Sequence, residues 1–587
     1  MFKIIRNYKQ FPFAIVANKP VAKCKRGQRR TKKIYTGGGY TKITLNRINA
    51  VAAFDIETTK IPGEEHSVMF VWQFCYMDLD TGDQYVVLGR QWDEFINFMD
   101  ILSSALGDKT LYIYVHNFNY EFSYIKSLME FKNRFGFTEI FSKDPKHPVY
   151  AVSHYGAFEW RDSYALFNSK LEEATKDMPH AKATKANGEL EDFDYTKKRF
   201  NWTPLTPEEE KYCINDVAGL CEAVQRIMNE QGDTVYSIPL TSTGYVRRDV
   251  KRLMYNHTRF NDYPSDNYKT YERLRDAFRG GNTHANRYYA GYKLAMEQGL
   301  EVTSYDRSSS YPDVMVNDKF PIKPFVKDEN MTLEHINKLE EDGYAYLMTI
   351  MLTNLKLRDI CTPNPYLSVD KVKFPIGITE EDNGRIIKCY QCVLVITDID
   401  WEIIRDQYDY TDATISTLEV SKYDYLPEEF RNYIKQLYTD KTSLKNVPGA
   451  EGKYRGSKCK INAGYGMMVQ RVENTDVIYD ESDNELKFSI ETKDAVSNYY
   501  DLAKNRPMPY RWGVWVSAWA RYHLQSFIDM VGVDMAYTDT DSVKFIGDRK
   551  EDIEEYNKFF IDRSIENEAF AKDPKGKLHY MGMYECE

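Results

Sequence analysis

Residues 537–542, Tyr537-Thr538-Asp539-Thr540-Asp541-Ser542, read as a tight turn carrying two carboxylates. Val533 to Ala536 can lead in as a strand, and Val543 to Ile546 can lead out as its partner. Asp and Thr suit the turn because their short side chains bond to nearby backbone. In extended chain Asp539 and Asp541 share a face. Two carboxylates held together repel unless a cation sits between them. The segment therefore predicts a divalent metal site. An acidic hairpin tip in solvent is the other reading open at this point.

Working outward, 587 residues are too many for one core, and about four domain-sized units is the prior. A hydrophobic content of 42% with 28% charged residues is that of a soluble globular protein. No apolar run approaches the roughly 18 residues that indicate a membrane span. Lys3 and Arg6 precede an apolar stretch, but Pro12 interrupts it and a basic segment follows, which argues against a signal peptide. Cys389 and Cys392 form the only close pair among nine cysteines, without a second pair at zinc-like spacing. Reduced thiols in a cytosol-like compartment are expected. The net charge of −10 is uneven: residues 1–50 hold 13 Lys or Arg and no acid. Such an arm suits phosphate or another acidic partner, or is a solvated tail.

Ala50 to Ile56 and Leu111 to Val115 read as buried strands. Thr206-Pro207-Glu208-Glu209 opens a helix running to about Asn229, with Thr as cap, Pro in the first turn and acids at the positive end. These elements predict an α/β first domain ending near residue 240. Arg279-Gly280-Gly281 reads as a flexible joint. Beyond it come a strand over Glu301 to Tyr305, a helical stretch near 430–470 and an aromatic helix over Trp512 to His523.

Two sets of side chains carry chemistry. Asp55 and Glu57 lie two apart on one strand face. Glu121 follows another strand, and Tyr212 and Asp216 stand one helical turn apart. Four acids on three elements can converge on two metal ions, with Tyr212 orienting a water. In the second set, Asp306 follows a strand and could complete the metal site of the Asp539 turn. Lys458, Asn462 and Tyr465 fall on one helix face. The Lys suits a triphosphate and the ring a base, while Gly464 and Gly466 allow close approach of a nucleotide. Singly, each of these residues also fits an ordinary surface or core position.

Together the residues resemble a family. Asp306-x-x-Ser309-x-Tyr311-Pro312, Lys458-x-x-x-Asn462-x-x-Tyr465-Gly466 and Tyr537-x-Asp539-Thr540-Asp541-Ser542 resemble motifs A, B and C of family B DNA polymerases, in order. Asp55/Glu57, Asn117/Glu121 and Tyr212/Asp216 resemble that family's three proofreading exonuclease motifs, also in order. The gaps of 152 positions from Asp306 to Lys458 and 74 from Tyr465 to Asp539 are similar to those of the protein-primed subgroup of phages and linear plasmids. Phe278-x-Gly280-Gly281 resembles that subgroup's Tyr-x-Gly-Gly linker.

The resemblance implies a mixed α/β chain, with a ribonuclease-H-like 3′–5′ exonuclease domain followed by a right-hand polymerase domain. The implied boundaries are a basic arm over 1–49, exonuclease over 50–240, a linker region over 241–281 and palm over 282–317. A first terminal-protein-region-like insertion follows over 318–428, then fingers over 429–469, a second insertion over 470–508 and palm again over 509–587.

It also implies residue roles. Asp306 and Asp541 bind two Mg2+ ions, with Mn2+ as a substitute, and Asp539 supports them. Tyr311 excludes a 2′-hydroxyl. Lys458 and Lys441 contact the triphosphate, and Tyr465 the base-paired nucleotide. Ser309 and Asn462 position primer, template or nucleotide, and Gly280 and Gly281 meet DNA. Asp55, Glu57, Glu121 and Asp216 hold the exonuclease metals, Tyr212 aligns water, and Asn117, Tyr120 and Tyr124 hold the frayed strand. The implied partners are template and primer DNA, deoxynucleoside triphosphates and a terminal protein, with a monomeric enzyme in the host cytoplasm and no membrane.

Three features depart from the family pattern: Glu121 in place of Asp, Phe278 in place of Tyr, and no Lys-x-Tyr motif between Ser542 and Glu587, where Lys577-Leu578-His579-Tyr580 has another spacing. The last implies a palm cut short, with the thumb missing or supplied by another chain. The alternatives are a nucleic-acid-primed family B polymerase and a truncated, non-catalytic DNA-binding replication scaffold.

Overall fold

Apolar runs of strand length build the sheets of this computed structural model. It describes every residue except 36–39, 62, 64–66, 128–136, 138, 143–146, 181–193, 195, 296–299, 449, 471–476, 481–484, 489–494 and 504–505. The chain divides into two units, Met1–Tyr245 with Thr475–Thr492 and Val246–Asn474 with Lys493–Glu587.

In the first unit an eight-stranded sheet runs Phe2–Ile5, Gln84–Gly89, Ser67–Asp78, Arg47–Lys60, Thr110–Val115, Phe158–Asp162, Pro148–Ser153, Glu139–Ser142. Its central Arg47–Lys60 strand is buried on both faces, which is why the sequence there is a continuous apolar run rather than an alternating one. Phe95, Phe98, Met99 and Leu102 of the Trp92–Leu106 helix pack on one face. Cys213, Val217, Leu220 and Val224 of the Pro207–Glu230 helix pack on the other. That helix starts at a capping box between Thr206 and Glu209 and runs one residue past its expected end.

The basic N-terminus is not a free tail. Phe2–Ile5 pairs parallel with Gln84–Gly89, and Ile5, Phe11 and Val16 are buried in the sheet's core. Lys19 is buried and ion-paired with Asp78 at 2.6 Å. Apolar residues scattered among the cations supply the burial that a purely charged arm would lack.

In the second unit a five-stranded sheet runs Thr283–Ala285, Met535–Asp539, Ser542–Ile546, Val302–Arg307, Tyr584–Cys586. The Tyr510–Val531 helix extends the expected aromatic helix at both ends, and its Leu524, Phe527, Ile528 and Val531 pack under Val543 and Phe545. The sheet's other face is left to solvent and carries the site. Residues 319–425 build a seven-stranded antiparallel sheet of their own. The expected helical stretch near 430–470 is two helices, Glu428–Thr442 and Glu451–Met468.

Candidate active sites

The turn at 537–542 is tighter than the sequence predicts. Its leading strand is Met535–Asp539, beginning two residues later than expected because Gly532–Asp534 forms a 3-10 turn. Thr540 adopts φ +61°, and the Asp541 amide donates to the Asp539 carbonyl at 2.6 Å. Asp541 therefore lies in the turn, not on an extended strand, and the two acids do not stand as neighbours on one strand face. The Asp539 carboxylate accepts from the hydroxyls of Thr283 (2.9 Å) and Thr540 (3.0 Å).

Asp541 belongs with Asp306. The Arg307 amide donates to the Asp541 carbonyl at 2.8 Å, and Asp306 stands opposite Ser542 in the sheet register. Burial, then the Asp541 charge, pushes Asp306 up to about 7. Asp541 is raised by burial too, and Lys458 opposes that rise. Neither carboxylate has an ion-pair partner among the described residues.

Asp306, Ser309, Tyr311, Lys441, Lys458, Asn462, Asp539 and Asp541 line one cavity of about 630 Å3. Lys441 donates to the Ser309 hydroxyl at 2.7 Å, and burial with the Lys458 and Lys445 charges lowers it to about 8. Tyr465 does not line this cavity; its ring centroid lies 4.3 Å from that of Tyr311, the two rings tilted by 31°. Gly464 lies against the neighbouring helix, where a Cβ would come within 3.1 Å of Ile434 Cδ1. Gly466 has open space beside it.

Gly280 and Gly281 are not a loose joint. Arg521 donates to the carbonyls of Arg279 (2.6 Å) and Gly280 (3.2 Å). A Cβ on Gly281 would sit 2.5 Å from Thr540 Oγ1. The absent side chain of Gly281 lets this segment lie against the 537–542 turn, whereas a Cβ on Gly280 would meet nothing.

Among the cavity-wall residues that sequence reasoning missed are Lys445, His579, Glu585 and Glu587. Lys445 pairs with Glu585 at 3.1 Å, and His579 Nδ1 lies 2.8 Å from the same carboxyl group. The Tyr584–Cys586 strand places Glu585 opposite Asp306. The one available signal was Lys445, four residues beyond Lys441.

The second set of acids gathers in the first unit. Carboxylate oxygens of Asp55, Glu57 and Asp216 all lie within 4.8 Å of one another. Burial, then mutual repulsion, raises Glu57 to about 9 and holds Asp216 and Glu121 well above the carboxylate range. Burial takes Asp55 to about 6, and Gln73 Nε2 donates to it at 2.7 Å. Glu121 Oε2 is buried without a hydrogen-bond partner. Hard oxygen donors this close, largely buried and mutually repelling, fit Mg2+. Tyr212 hydrogen-bonds Asp216 one turn away. Tyr120 is 40% exposed, its hydroxyl 2.5 Å from Thr58 Oγ1 and 3.4 Å from the Tyr124 hydroxyl. Asn117, at φ +63°, turns the chain there, its amide donating to Asp162 at 3.0 Å.

A fold joining an eight-stranded α/β unit to a five-stranded sheet with paired carboxylates defines a class, and the class is met in known proteins. No family model matches the chain. It is similar to the DNA polymerase of Bacillus phage phi29, with 23% identity over 509 residues, 82% of this chain and 78% of that protein. It is similar also to that of Bacillus phage Nf, with 22% identity over 499 residues, 81% of this chain and 77% of that one. Among solved structures, phi29 DNA polymerase with primer-template DNA and incoming nucleotide has a TM-score of 0.63 at 19% identity, covering 86% of this chain and 82% of that one. The same enzyme with single-stranded DNA also has 0.63, at 20% identity over the same shares. The chain thus has the fold of phi29 DNA polymerase, and it resembles the protein-primed family B DNA polymerases.

Proposed function

We propose that this chain is a DNA-directed DNA polymerase of the phage type, extending strands at the Asp306–Asp541 site and editing them at the Asp55–Asp216 site. The observation that carries the reading is the convergence of Asp306 and Asp541 with Lys441 and Lys458 around one cavity. A triphosphate needs cations on one side and a reacting centre on the other, and this wall supplies both.

Mg2+ held by Asp306 and Asp541, and by Asp55, Glu57, Glu121 and Asp216, supplies charge stabilisation for phosphoryl transfer in each site when bound. Lys458 and Lys441 bind the triphosphate oxygens as point charges. Asp539, fixed by Thr283, holds the turn and adds negative potential. Tyr311, which lines the cavity with the Tyr465 ring 4.3 Å from its own, excludes a 2′-hydroxyl from the entering sugar in this reading. Asn462 and Ser309 orient the nucleotide, and Gly280 and Gly281 let DNA approach the turn. In the editing site Tyr212 orients the attacking water, while Tyr120, Tyr124 and Asn117 grip the unpaired end. DNA binding is salt-dependent and sequence-tolerant.

Initiation on a hydroxyl of a terminal protein, in the cytoplasm of a host cell, completes the proposal. No described helix is long and apolar enough to cross a membrane. Primer extension with labelled deoxynucleotides tests the main reading, with Asp541→Asn as the inactive control; equal incorporation by both would reject it. Transfer of a labelled nucleotide to a protein band, without any nucleic-acid primer, tests protein priming.

A further inference from the structure

The solvent face of the five-stranded sheet carries two adjacent rows of side chains. Thr283, Asp539, Ser542 and Asp306 stand opposite one another across the strands and form the first row. The same register places Ala285, Tyr537, Lys544 and Ser304 in a second row, two residues along. Two residues of strand are about 6.6 Å. Both rows are on one face, because the intervening Thr538 and Val543 are buried.

Each row borders a different cavity. The cavity with Lys441 and Lys458 opens toward Ser309 and Tyr311. A second cavity, of about 600 Å3, opens beside the second row and has Tyr537 and Lys544 in its floor. The Lys544 side chain is exposed and makes no ion pair or hydrogen bond among the described residues. Two acids, Glu381 and Asp382, also line this cavity, and Asp382 is engaged by His284 at 3.3 Å. A rigid strand thus presents an uncommitted ammonium group beside an aromatic ring, one step from the carboxylates.

We infer that Lys544, with Tyr537 beside it, is a phosphate-binding subsite for the primer strand, behind its 3′ terminus. The inference rests on the reading of Asp306 and Asp541 as the polymerising carboxylates. The triphosphate goes to the lysines of the first cavity, so the strand being extended leaves across the other side of the carboxylate row. A strand advances about 3.4 Å along the axis per phosphate. The 6.6 Å step therefore sets Lys544 at the first or second linkage from the terminus. Lys544 touches the strand's backbone and not the reacting atoms, so it is a positioning residue.

The test uses the full chain and a labelled primer-template whose primer carries one neutral methylphosphonate at each of its last linkages in turn. Lys544→Ala is expected to weaken duplex binding about 5- to 10-fold and to lower the salt slope by about one, with deoxynucleotide KM unchanged. Lys544→Arg restores binding, and Lys550→Ala, on the exposed face of the Lys550–Glu566 helix, leaves it unchanged. A methylphosphonate at the first or second linkage should weaken the unsubstituted protein and have no further effect on Lys544→Ala. Equal loss in both proteins at every linkage, coupling to the template strand instead, or an unchanged salt slope would overturn the subsite. Asp541→Asn separates the failures. Retained incorporation there sinks the polymerase reading, whereas lost incorporation with uncoupled linkages sinks the subsite alone.

Discussion

The amide of Thr540, at the tip of the 537–542 turn, donates to the carbonyl of Asn282 at 2.8 Å. This bond ties the motif C turn to the segment that follows Gly281, and Gly281 lacks a Cβ just where Thr540 needs the space. Thr540 cannot swing aside without disturbing its left-handed backbone.

Gly281→Ala should therefore displace the turn. Overpacking of this kind costs about 1–3 kcal/mol, read as a fall in Tm, and incorporation should drop about 100-fold through misplaced carboxylates. Thr540→Gly in the same chain removes the clash and tolerates the positive φ, so the double variant should regain activity in primer extension.

The two acid clusters should fail independently. Asp306→Asn or Asp541→Asn should reduce incorporation about 1,000-fold, roughly 4 kcal/mol of barrier, and leave degradation of a single-stranded 3′ end intact. Asp55→Ala or Asp216→Ala should do the reverse. Parallel extension and degradation assays on each variant decide this.

Stability without metal should fall as pH rises. Asp55, Asp306 and Glu57 are raised to about 6, 7 and 9, so each binds its proton more tightly folded than unfolded. That contribution is complete below about pH 4 and is lost as pH climbs through the folded values. In EDTA, Tm should decline between about pH 5 and 9. Added Mg2+ should raise Tm by more at pH 8 than at pH 5, because only the ionised carboxylates bind it.

Lys441 makes a second pH prediction. Its ammonium, lowered to about 8, is charged below that pH and lost above it. The kcat/KM for deoxynucleotide reports the free enzyme and should fall above about pH 8. In Lys441→Ala that decline should disappear, and KM should be raised about tenfold throughout.

Arg521 lies buried, 2.8 Å from Asp400, and also holds the Gly280 carbonyl. Arg521→Ala would leave Asp400, still hydrogen-bonded by Tyr366 and Thr397, with the more distant Arg279, at 3.5 Å, as its ion-pair partner among the described residues. About 3–5 kcal/mol of stability should be lost, measurable by denaturant unfolding of the second unit.

Local chemistry was legible where one element carries it. Thr206 and Glu209 announce a helix start within four residues. The apolar run around Asp55 announces a central strand, and Lys458, Asn462 and Tyr465 share a helix face whatever surrounds them. Six ordered motifs gave the resemblance that the relatives and the fold now support. The misreading at Gly280-Gly281 has a plain cause: the expected freedom depended on Arg521 and Thr540 lying opposite, and that is not local.

By itself, the sequence determined which elements form and which side chains could do chemistry, because hydrogen bonding and apolar periodicity act over a few residues. Only the tertiary structure decided which carboxylates share a site. It separated Asp539 from Asp541 by one left-handed residue, set Asp541 beside Asp306 in one cavity wall, and brought Glu585, His579 and Lys445 into the same wall. It also placed Lys544 one row from the carboxylates. Those relationships are set by strand register and by the packing of distant segments, which spacing along the chain does not encode.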